Sequence, residues 1–61
     1  MLSPRLRETL EGLLAGLSEK QIAERAHRSP ATIHRHVTTL YRRFHVAGRD
    51  ELHTYFLTRR P

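Results

Sequence analysis

Leucine recurs at positions 6, 10, 13, 14 and 17, three or four residues apart, the spacing of one face of an α-helix. Ser3-Pro4 stands ahead of this run. A serine hydroxyl can accept from an amide that has no partner inside a helix, and proline is tolerated at the first helical position, so the first helix is predicted to start there. Gly16 is a natural stop. Ser18 with Gln21 three residues on forms a capping-box pattern, and Ile22, Ala23 and Ala26 supply the inward stripe of a short second helix ending near His27. Ser29-Pro30 repeats the first start signal, and Ile33, Val37, Leu40 and Phe44 fall in one narrow sector of a third helix over about 30–44. Val46-Ala47-Gly48 interrupts it. A fourth helix is predicted from Arg49 to Thr58, with Asp50 and Glu51 at the positive end of its dipole and Gly48 as its N-cap. No stretch alternates with period two, so the expected fold is all-α, a bundle of four helices without a sheet.

The third helix has more than one character. Opposite its apolar sector lie Ala31, His34, Arg35, Thr38, Arg42 and His45, while Thr32, His36 and Arg43 sit on a flank. One helix thus offers a stripe for the core, a stripe of short polar and basic side chains, and an edge between them. No acidic residue occurs between Glu24 and Asp50, whereas Arg25, Arg28, Arg35, Arg42, Arg43 and Arg49 fall in or beside that window. The small alanines of the second helix allow another helix to cross closely. Such a helical pair with a one-sided basic surface suits a reader of the DNA major groove.

Size and charge narrow the picture. Sixty-one residues are expected to make a single domain over 1–61, small enough for marginal stability. Lys plus Arg number 11 against 6 acidic residues, and the net charge of +5 favours a polyanionic partner. Charge of this size also serves solubility; its collection between residues 25 and 49 separates the two readings. Without cysteine there is neither a disulfide nor a thiolate metal site. Arg5, Arg7, Glu8 and Glu11 rule out a secretory or membrane-spanning segment over Met1 to Leu17, so a cytoplasmic location is expected. Arg59 to Pro61 reads as a loose tail.

Catalysis is not expected: no nucleophile-base pair, glycine-rich phosphate loop or carboxylate pair can be assembled. No cofactor is implied. Five histidines raise the question of a metal, but His34 and His36 are two apart on a helix and point to different sides, and no H-x-x-x-H pair exists. No metal site is therefore assigned.

These residues resemble the LuxR-type, also called GerE-type, helix-turn-helix domain of bacterial transcription regulators. The match runs through Leu2-Ser3-Pro4-Arg5, Leu10, Gly16-Leu17-Ser18, Lys20 and Ile22-Ala23. It continues through Ser29, Thr32, Ile33 and His36, then Leu40, Arg43, Phe44, Val46 and Arg49. No single piece is specific, but so many in one ungapped register covers essentially the whole chain. The resemblance implies a recognition helix in the major groove, with His34, Arg35 and Thr38 toward base edges. Arginine can donate twice to guanine, and threonine can touch a thymine methyl or accept from a base. Lys20, Ser29, Thr32, His36, Arg42 and Arg43 are the expected phosphate contacts, which set register without reading sequence. Lys20 lies where free amides of the second helix already favour an anion. Ser29 can equally be a pure helix cap, and Arg43 can lay its stem along the core edge.

The fourth helix is the family's pairing element, so His53, Tyr55 and Leu57 are expected at a homodimer interface. The family also implies a receiver or ligand-binding domain ahead of this one in a regulator such as a response regulator. Departures from the pattern are Leu6 for glutamate, Gly12 for an apolar residue that would pack helix one more firmly, Arg28 at an aliphatic turn position, and His34 for lysine. Two alternatives stay open: the related promoter-reading domain of sigma factors, and a helical module that binds a protein.

Overall fold

The computed structural model describes residues 2–58; Arg59 to Pro61, expected as a tail, lie outside the described residues. It contains four helices, α1 (Pro4–Leu14), α2 (Glu19–Ala26), α3 (Pro30–Arg43) and α4 (Arg49–Thr58), and no strand among the described residues. The starts of α1, α2 and α3 are each made by the serine that signalled it. The hydroxyl oxygens of Ser3, Ser18 and Ser29 accept from the amides of Leu6, Gln21 and Thr32 at 3.3, 3.1 and 3.2 Å. At α2 the box is complete, because Gln21 Oε1 accepts from Ser18 N–H at 2.9 Å. At α4 the Leu52 amide donates to Gly48 O, and Glu51 reaches back to accept from Ala47 N–H at 3.0 Å.

The first three helices stop by one device. After α1, Leu17 N–H bonds Gly12 O and Gly16 N–H bonds Leu13 O, with Gly16 at φ +86°. The same double closure follows α2, where Arg28 N–H meets Ala23 O, and α3, where Val46 N–H meets Tyr41 O. Only the first of these turns uses glycine. His27 and His45, both at φ 56°, hold the left-handed position in the others. α3 ends one residue before the predicted Phe44, which becomes its cap.

A common core joins the helices. Leu10 and Leu13 of α1, Ile22 and Ala23 of α2, Ile33, Val37 and Leu40 of α3, and Leu52 of α4 are buried together. Leu6, Leu14, Leu17, Ala26, Phe44 and Phe56 pack around them, half-buried. Leu6 thus exchanges the missing half of a capping box for core contact. Thr9 is buried too, with its hydroxyl donating to Arg5 O at 3.1 Å. Two polar clips fasten α4. The Arg49 guanidinium donates to the Leu17 carbonyl, and a His53 ring nitrogen lies 3.1 Å from the Leu13 carbonyl. Phe44, Tyr55 and Phe56 form a ring cluster with centroids 5.1 Å apart, closing α4 onto the end of α3.

Gly12 corrects an expectation. It is not a loose point in α1 but a close one: a Cβ there would stand 2.7 Å from Ile22 Cγ1 and 3.0 Å from its Cδ1. The missing side chain is the slot into which α2 packs. Gly12→Ala would gain about 1 kcal/mol of helix propensity. Overpacking against a fixed, β-branched neighbour costs about 1–3 kcal/mol. The expected net result is a loss of up to about 2 kcal/mol, read as a melting temperature lower by several degrees. Gly48→Ala, which meets open space, is the control. Thermal denaturation of both variants checks this, and a rise for Gly12→Ala would refute the slot.

Candidate nucleic-acid interface

Helix geometry turns the residues expected at base edges away from the core. Burial of Ile33, Val37 and Leu40 turns the opposite side of α3 outward. Ala31, His34, Arg35 and Arg42 are exposed there, and Thr38 is half-buried. The Arg35 side chain has no partner among the described residues, so its full set of donors faces outward. Thr38 is more constrained. Its hydroxyl donates to His34 O at 3.1 Å, so the single proton is committed to the helix. What remains is an oxygen that accepts and a methyl group. Thr39 is exposed on the next position and donates to Arg35 O in the same way.

His34 is not a bare reading residue. Its Nδ1 lies 3.1 and 3.3 Å from the two carboxylate oxygens of Glu19, in the first turn of α2. The sequence reading missed Glu19 because its partner is 15 positions away and no local signal links them. The contact follows from the helix crossing: Glu19 sits one turn before Ile22 and Ala23, and His34 adjoins Ile33, and those three apolar residues share the core.

The expected phosphate contacts divide. Lys20, Arg42 and Arg43 are exposed. Ser29 serves first as the α3 cap; its oxygen also lies 2.9 Å from Thr32 Oγ1. One of those two hydroxyls donates to the other, which leaves a single proton between them for an outside acceptor. His36 is half-buried, with Nδ1 shut from solvent and unbonded, so only its other ring nitrogen can face a phosphate. Arg49 leaves the basic surface altogether, since its guanidinium is tied to Leu17 O and its Nε is buried. Spacing gave no hint of this: the two residues are 32 apart.

Of the residues expected at a partner helix, Leu57 is 70% exposed. His53 is half-buried and engaged with Leu13 O, and Tyr55 is half-buried in the ring cluster. A surface groove of about 660 Å³ runs between the end of α3 and α4. Asp50 and Glu51 line it together with Arg43 and His45, so it lacks the one-sided positive charge of the outward face of α3. Of the residues expected at DNA, Arg43 alone borders this groove.

A short helix, a three-residue turn (His27, Arg28, Ser29) and a longer helix with an outward cationic edge define a helix-turn-helix of the DNA-binding class. The family model for bacterial regulatory proteins of the luxR family matches residues 1–56, and the chain belongs to that family. No curated protein and no solved structure shows significant similarity to the chain. Among the described residues no helix is long and apolar enough to cross a membrane.

Proposed function

We propose that this chain is the sequence-specific DNA-binding domain, spanning 1–61, of a bacterial transcription regulator acting on DNA in the cytoplasm. α3 enters the major groove and α2 braces the backbone. His34, Arg35 and Thr38 meet base edges; Lys20, Ser29, Thr32, His36, Arg42 and Arg43 meet phosphates. The observation that carries this reading is the outward edge of α3, where arginine and short polar side chains stand with no acidic residue on the same helix. Family membership supports DNA as the partner.

Two copies pair through α4 on an inverted repeat. Leu57, exposed beside Leu14 and Phe56, supplies apolar area for that contact. Leu57→Glu is expected to abolish cooperative binding to a two-half-site duplex while leaving affinity for a single half-site within about twofold. Gel-shift titration on the two duplexes decides. Equal loss on both would remove α4 as the pairing element.

Affinity for random duplex should fall steeply with salt, by about 0.9 log unit per log unit for each phosphate neutralised. Arg35→Ala is expected to relax base preference at one position by about 1–3 kcal/mol, and Arg42→Ala to weaken all sequences alike while lowering the salt slope by about 1. Binding-site selection followed by salt titration of each variant measures both. Identical behaviour of the two variants would undo the division of α3 into reading and backbone edges.

A further inference from the structure

We propose that Glu19 is a specificity-determining positioning residue, whose carboxylate presents the His34 imidazole to the major groove as a hydrogen-bond acceptor. The bases selected are those with an exocyclic amino group in the groove, adenine through N6 or cytosine through N4. This rests on the reading of α3 as the recognition helix.

The geometry fixes one half of the ring. Nδ1 stands between both Glu19 oxygens, at 3.1 and 3.3 Å. An ionised carboxylate only accepts, so Nδ1 carries the proton. In the neutral imidazole the proton is then absent from Nε2, and that nitrogen offers a lone pair. The His34 side chain remains 69% exposed, so the bond to Glu19 takes one edge of the ring and leaves the rest open. The contact spans two helices whose crossing is set by the core, so the ring is held from outside its own helix and cannot choose its tautomer independently. Thr38, one turn on, is also reduced to an acceptor because its hydroxyl donates to His34 O. The edge is therefore divided: Arg35 only donates, while His34 and Thr38 accept.

Stability does not account for the pair. A hydrogen bond between exposed side chains adds little to folding. A carboxylate at the surface that meets a polyanion lowers affinity for every sequence. A residue that opposes binding in general, yet fixes the tautomer of a reading side chain, trades affinity for discrimination.

The test measures dissociation constants, at fixed salt and about pH 8, where imidazole is ordinarily neutral. The duplexes are the selected site and all its single base-pair replacements. The proteins are the unaltered chain, Glu19→Gln, His34→Ala and the double variant; both residues are at the surface, so folding is preserved and is checked by thermal melting. His34→Ala is expected to remove discrimination of about tenfold at one base pair, where the unaltered chain prefers adenine or cytosine in the strand facing the helix. Glu19→Gln, whose amide can hold either tautomer, is expected to cut discrimination several-fold at that same pair while raising affinity for all duplexes. The double variant should lose no more discrimination than His34→Ala. Full retention of discrimination at that pair in Glu19→Gln, or a Glu19→Gln effect equal on every duplex, overturns the proposal while leaving the DNA-reading assignment intact. Absence of base preference anywhere in the unaltered chain overturns both.

Discussion

The crossing of α2 over α3 is the constraint on which the rest depends. Ile22 and Ala23 meet Ile33, Val37 and Leu40 in one buried cluster, and the bareness of Gly12 lets α2 sit close against α1 at the same point. Once that crossing is fixed, helix periodicity does the remainder. The sector of α3 opposite its buried residues must face outward, and the first turn of α2 must lie alongside it. Among the described residues eight apolar side chains are buried, a small core in which each contact matters. The α4 clips, Arg49 to Leu17 and His53 to Leu13, tie the last helix to carbonyls at the end of α1 and in the turn after it.

Function on this scaffold is a matter of which donors and acceptors remain after the fold has used its share. Ser29 spends its oxygen on the α3 cap, Thr38 spends its proton on its own helix, and His34 spends one nitrogen on Glu19. Arg35 spends nothing within the described residues. The chemical pattern offered outward is therefore narrower than the list of polar residues on the helix suggests, and narrowness of this kind is what discrimination between base edges requires.

The histidines show where sequence reading reaches its limit. Helix starts were legible to the residue because Ser3, Ser18 and Ser29 act on amides three positions away. The buried faces were legible because leucine and isoleucine spacing encodes them. What His27, His34, His45 and His53 do was not. Two of them hold left-handed turn positions usually given to glycine, and the other two find partners 15 and 40 residues distant. Gly12 was opaque for the same reason, its explanation being the Ile22 side chain. Charge counting likewise placed Arg49 with the basic surface, when a turn carbonyl had claimed it. Local interactions can be read from a chain; long-range ones wait for the helices to be packed.

The most direct measurement of the central claim is a titration of isotopically labelled protein with a duplex bearing its selected site, followed by amide chemical shifts. The account predicts the largest shifts along the outward edge of α3, from Ala31 to Arg42, and in the first turn of α2 at Glu19 and Lys20, with Glu8 and Glu11 of α1 nearly unmoved. Shifts concentrated on α1 or in the groove between Phe44 and Tyr55, with α3 silent, would contradict it.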